Sequence, residues 1–152
     1  MKPRIYVDTS VVGGCEDDEF KEHSLQLIDC FVIGKFLLVL SDLTVQELTG
    51  APEGVRGHLS RVPEQHIEVV QLSDEANDLA ETYIREGVIP GSMRADAQHI
   101  AIASVVRVDV LVSWNFKHIV NLQRIRGYNS VNLRNGYPTI EIRAPREVLP
   151  NE

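Results

Sequence analysis

Cysteine is scarce: Cys15 and Cys30 are the two present among 152 residues. Two cysteines make neither a disulfide framework nor a structural zinc site. Cys30 sits in an apolar helical pattern and reads as a small core residue, whereas Cys15, after Gly13-Gly14, is placed where it could be exposed. Long apolar runs are missing too. Phe36 to Leu40 has the length of a strand, far short of the ~20 residues that span a bilayer. Met1-Lys2-Pro3-Arg4 leads straight into a strand pattern without a signal-peptide core, so a cytoplasmic chain with no membrane partner is expected. There is no internal repeat and no low-complexity linker. Positive charge is in deficit: 15 Lys and Arg face 22 Asp and Glu, a net charge of −7. The chain as a whole repels a polyanion, so any nucleic-acid role needs a local basic patch or a bound cation.

The remaining composition is ordinary. Hydrophobic residues at 43% and charged residues at 24% exclude a disordered, collagen-like or coiled-coil chain. The length suits one domain. Arg4 to Asp8 reads as a buried strand ending in a carboxylate, and Phe36 to Leu40 as a second, apolar on both faces. Glu16 to Glu19 read as an acidic entry to a helix carrying Leu25, Ile28, Phe31 and Val32 at helical spacing, stopped by Gly34. Helices are expected from Ser41-Asp42 to Gly50, over 52–61, from Asp74 to about Glu86 behind a Ser73 cap, and from Pro90 through Val106. Ile67 to Val70 and Asp109 to Ser113 read as strands, Phe116 to Val120 as a short helix, and Asn121 to Asn132 as mixed structure. Thr139 to Ile142 reads as an edge strand. Alternating strands and helices with short connections predict an α/β fold, three layers α/β/α around a mainly parallel sheet. In such sheets the functional crevice lies beyond the carboxyl ends of the strands.

That rule selects Asp8 after the first strand, Glu47 in the helix after the second, Asp96 in the first turns of the helix before the fourth, and Asn115 just past it. Alone, each has an ordinary reading as a turn, helix-face or loop residue. Together they make an oxygen-rich set of the kind that holds Mg²⁺ or Mn²⁺, where a cation activates a water and polarises a phosphate. Ser10 and Thr9 either orient Asp8 or cap a helix. His99 shares a helix face with Asp96 and either meets substrate phosphate or is a structural histidine; Lys117 and His118 either meet phosphate at the rim or sit on a solvated helix. Trp114 reads as packing rather than base stacking. Between Lys117 and Arg146 there are six basic residues and one acid, Glu141, with Tyr128 and Tyr137 interleaved. Such a segment is either a positive track for nucleic acid or a solvated surface.

The stretches Ile5 to Val12, Thr44 to Leu48, Ala95 to Ala103 and Asp109 to Phe116 resemble those of PIN-domain ribonucleases, the family that includes VapC-type toxins. The resemblance covers about residues 4–120 of one domain spanning 1–152, with the basic segment at 117–146. It implies a metal-dependent endoribonuclease with Asp8, Glu47 and Asp96 as the acidic core, Mg²⁺ or Mn²⁺ as cofactor and RNA as substrate. It also implies a toxin–antitoxin pair and a homodimer; the helices at Glu19 to Val32 and around Glu47 to Gly57 read as offering apolar grooves to a partner helix. One departure stands out: Asn115 occupies a position where the family commonly has an acid. A PIN domain that binds without cleaving is the alternative. Phosphotransfer of the haloacid-dehalogenase type wants an Asp two residues after Asp8, where this chain has Ser10.

Overall fold

The chain, seen in a computed structural model that describes residues 2–150, folds around five parallel strands. In chain order they are β1 (Arg4–Val7), β2 (Leu37–Ser41), β3 (Ile67–Val70), β4 (Val110–Val112) and β5 (Ile142–Arg143). Their order across the sheet is β3-β2-β1-β4-β5, and each pairing is parallel. The chain therefore builds outward from β1 to β3, then returns to the other side of β1 to add β4 and β5. The strand order reverses between β1 and β4, which is where a crevice opens in such sheets.

Strand periodicity sorts the core into two. Ile5, Val7, Leu38, Leu40 and Val112 face one cluster, which is covered by α1 (Thr9–Gly14), α2 (Lys21–Val32) and α4 (Glu53–Ser60). Tyr6, Val39, Leu111 and Ile142 face the other, covered by α5 (Asp74–Arg85), α6 (Arg94–Val105) and α7 (Leu122–Arg134). The result is the expected α/β/α layering. Short α3 (Asp42–Leu48) leaves the end of β2, and α8 (Pro145–Val148) follows β5. Among the described residues no helix is long and apolar enough to cross a membrane.

The acids Glu16 to Glu19 lead into α2, as expected, and the Asp17 carboxylate accepts the Glu19 N–H at 2.8 Å in the turn before it. Local chemistry corrects four other expectations. Phe116 to Val120 is a turn and not a helix, wound on Asn115. Of residues 121–132, read as mixed, all but the first belong to the 13-residue α7. Asn121 caps it by accepting the Arg124 N–H at 3.2 Å, and Gly127, which hides the helical pattern, is there because a Cβ would come within 2.7 Å of Val88. The last strand is only Ile142–Arg143, since Ile140 N–H is taken by the Asn129 side chain. Cys15 is buried at 2% exposure, not exposed.

Candidate active site

Asp8 sits at the point where the strand order reverses, one residue past β1, and is 4% exposed. A buried carboxylate needs donors, and two serines supply them. Ser10 Oγ donates to Asp8 Oδ1 at 2.6 Å and Ser113 Oγ donates to Oδ2 at 2.7 Å. Each hydroxyl in turn accepts a backbone N–H from the chain leaving β4: Trp114 N reaches Ser10 Oγ at 2.9 Å and Asn115 N reaches Ser113 Oγ at 2.9 Å. The serines thus fasten Asp8 to the end of β4. Burial nonetheless pushes the Asp8 carboxyl above its ordinary range, with His99 and the two hydroxyls pulling it back.

Asp96, in the first turn of α6, is raised as well, first by burial and then by the charge of Asp8. The two carboxylates are therefore electrostatic neighbours. Asn115 Nδ2 donates to Asp96 Oδ2 at 3.0 Å. The amide cannot turn around, because its Oδ1 accepts Lys117 N–H at 3.2 Å and His118 N–H at 3.0 Å. Asn115 thus holds Asp96 as a donor. Its carbonyl, the atom a cation would need, is spent on the backbone.

Glu47 is arranged differently. His99 Nε2 lies 2.8 Å from Glu47 Oε1, and Thr9 Oγ1 donates to the same oxygen at 2.5 Å. These contacts hold Glu47 below its ordinary range, the His99 hydrogen bond first. His99 is 2% exposed, and its Nδ1 is 2.6 Å from the Tyr6 hydroxyl, itself 2.8 Å from Ser41 Oγ. One arrangement satisfies each of these atoms: Ser41 donates to Tyr6, Tyr6 to His99 Nδ1, and His99 Nε2–H to Glu47. His99 is therefore enclosed between Tyr6 and Glu47 instead of facing solvent.

Among the described residues, no group of three or more His, Cys, Asp or Glu side chains is arranged to hold one metal ion. Glu47 is drawn to His99, and Asp8 and Asp96 remain as a pair. The pair still fits a hard cation by its donor chemistry, because Mg²⁺ is commonly held by one or two carboxylates with waters and substrate phosphates completing its shell. No described hydrogen bond reaches Asp96 Oδ1 or Glu47 Oε2.

Lys117 is exposed beside this site. His118 is 8% exposed, with Nδ1 buried and without a hydrogen-bond partner among the described residues. Trp114 packs, as its flanks suggest: it stacks on Phe20 at 4.4 Å and its Nε1–H donates to Ser24 Oγ at 2.8 Å. Of the basic segment, Arg134 pairs with Glu86 and Arg143 with Glu141. Sequence reasoning missed Ser113, Tyr6 and Ser41. The position of Ser113 at the end of β4, opposite Asp8, was the available signal; nothing in the sequence pointed across the sheet to Tyr6.

Comparison with known proteins agrees with the architecture. The VapBC2 complex of Rickettsia felis, described as bound to a DNA fragment from its promoter, contains a chain similar to this one with a TM-score of 0.56 at 12% identity, over 93% of this chain and 98% of that one. VapC20 of Mycobacterium tuberculosis, described as a toxin cleaving the sarcin–ricin loop, is similar with a TM-score of 0.50 at 15% identity, over 75% of this chain and 92% of that one. No protein-family profile and no curated protein sequence matches. The chain has the PIN-like fold of VapC structures.

Proposed function

We propose that this protein is a metal-dependent endoribonuclease. The observation that carries the reading is Asp8: a carboxylate buried where the strand order reverses, fixed by two serines, with Asp96 as its charged neighbour. Asp8 and Asp96 would hold Mg²⁺ or Mn²⁺. When bound, the cation lowers the pKa of a coordinated water and polarises the phosphodiester. Ser10 and Ser113 keep Asp8 in place, and Asn115 keeps Asp96 in place. Glu47, kept ionised by His99 and Thr9, offers Oε2 to a released proton. RNA is the substrate by likeness to the sarcin–ricin-loop-cleaving toxin. Likeness to a chain of the VapBC2 complex supports a toxin with an antitoxin protein as partner; a cytoplasmic homodimer belongs to the same reading by the sequence resemblance alone.

A second reading, binding without cleavage, is favoured by one observation. Asn115 stands where the resemblance expects an acid, and its carbonyl is committed to two backbone N–H groups. One experiment separates them. Single-stranded RNA is incubated with the protein and Mg²⁺ or Mn²⁺, with Asp8→Asn as control. Cleavage abolished in the variant supports the nuclease. RNA binding without cleavage under either ion overturns it in favour of the binding module.

A further inference from the structure

Next to the acid pair, the chain spends an aromatic side chain on solvent. Phe116 follows Asn115 directly and is 51% exposed. It rests edge-on against Trp114, with ring centroids 6.1 Å apart at 63°. Trp114 cannot yield: Phe20 stacks on it, Ser24 holds its indole N–H, and Gly14 leaves it room, since a Cβ there would fall 2.9 Å from Trp114 Nε1. The turn beneath Phe116 is equally fixed. Asn115 Oδ1 takes the N–H of Lys117 and His118, and its backbone oxygen takes those of Ile119 and Val120 at 3.1 and 2.8 Å. A half-exposed ring is thus held against Trp114 on a fixed turn, one residue on from the Asn115 that hydrogen-bonds Asp96.

The residue after Phe116 opens onto a site with two cations. Lys117 is exposed and lines a cavity of about 540 Å³ together with Arg124, Asn121, Gln123 and Glu86. The one carboxylate among these is already paired with Arg134. The volume is that of a small-molecule site; Lys117 and the remaining guanidinium donors of Arg124, whose Nη1 donates to the Val88 carbonyl, suit a phosphate, and Gln123 suits the polar edge of a nucleotide.

The geometry points to Phe116 as a stacking platform for an unpaired base flanking the cleaved bond, with the neighbouring nucleotide's phosphate taken at Lys117 and Arg124. This rests on the nuclease reading and adds a substrate constraint to it. Only a single strand or a loop offers a free base face to such a ring. Phe116 therefore selects unpaired RNA.

The test is the binding of fluorescein-labelled single-stranded RNA, read by anisotropy, in an Asp8→Asn background. Phe116→Ala raises Kd about fivefold or more, the lower bound for losing one base–aromatic stack. Phe116→Trp restores binding, which a loss of folding would not allow. Binding of a fully paired RNA duplex stays unchanged in Phe116→Ala. Lys117→Ala weakens binding and lowers the salt dependence. The single tryptophan, Trp114, reports the same event: its emission shifts when RNA binds the parent and stays constant in Phe116→Ala. If the parent binds RNA and Phe116→Ala binds it within twofold, the platform is overturned and the nuclease reading stands. If the parent binds no RNA and wild type cleaves none, both fall. If Phe116→Ala alters the mass seen by light scattering but not RNA binding, the ring is a protein contact and the platform is overturned.

Discussion

Ser113→Ala tests whether Asp8 is held as described. Ser113 is fully buried and serves two partners, donating to Asp8 Oδ2 at 2.7 Å and accepting Asn115 N–H at 2.9 Å. Truncation loses a hydrogen bond to a buried charge, about 1.5–3 kcal/mol, and strands a backbone N–H at about 1–3 kcal/mol. Relaxation around a single lost oxygen recovers part of this, so a net cost of about 2–4 kcal/mol is expected. At about 2–4 °C per kcal/mol for a chain of this length, the melting temperature falls by about 4–16 °C. Chemical denaturation gives the free energy directly. The decisive step is a double-mutant cycle with Asp8→Ala, in which the charged partner is already gone. There the cost of Ser113→Ala drops by about 1.5 kcal/mol or more. Divalent-cation affinity, read by thermal shift, weakens about 10- to 100-fold in Ser113→Ala, as for a lost partner of a metal ligand. A cost below about 0.5 kcal/mol, equal in both backgrounds, refutes the fastening of Asp8 to β4.

Asp8 and Asp96 are both raised above their ordinary value of 3.8, so their contribution is favourable below it and is lost as pH rises through their folded values. Metal-free stability therefore declines from the acid range toward neutrality, Asp96→Asn flattens that decline, and Mg²⁺ restores neutral-pH stability in wild type only; a steeper decline in the variant contradicts this. Glu47 has the opposite sign: lowered from 4.5, it contributes stability above that value and loses it on acidification, a loss absent in Glu47→Gln by thermal melts. Gly14→Ala forces Ser24 and Trp114 apart, costs about 1–3 kcal/mol, and shifts the tryptophan emission. Cys15, buried with its thiol pushed up to about 11, is inert to a thiol reagent in the native protein and reacts on unfolding.

The α/β architecture was legible because its strands carry runs such as Phe36 to Leu40 and its helices carry caps such as Ser73. These are local signals. Helix α7 carries an ordinary asparagine cap, but a glycine in its middle interrupts the helical pattern, and that glycine is set by a contact with Val88 from a distant segment. The same division runs through the candidate site. Asp8 and Asp96 were selected by their places at strand and helix ends, and the structure makes them electrostatic neighbours. The fate of Glu47 was not, because it depends on His99, 52 positions away, and on Tyr6 across the sheet. Spacing locates a carboxylate; it does not say which neighbour takes its hydrogen bonds.

Asn115 joins the acid pair to the proposed RNA platform, so its substitutions separate two roles. Its Nδ2 serves Asp96, whereas its Oδ1 serves the turn that presents Phe116. Asn115→Asp keeps an acceptor for the turn but sets a second negative charge where a donor stood, 3.0 Å from Asp96 Oδ2. The bare repulsion at that range is roughly 5 kcal/mol at an effective dielectric near 20, and solvent at this half-exposed pair reduces it to about 1–3 kcal/mol. Metal-free Asn115→Asp therefore melts lower than wild type, and Mg²⁺ raises it by more than it raises wild type, because a cation now meets three charges. Asn115→Ala loses donor and acceptor alike. It melts lower with or without Mg²⁺, and single-stranded RNA binding weakens as the turn under Phe116 loosens. Asn115→Asp retains the turn and, with Mg²⁺ present, retains RNA binding. Equal Mg²⁺ responses in the two variants would show that Asn115 does not control the charge at the acid pair. Equal losses of RNA binding would show that its carbonyl does not hold the platform.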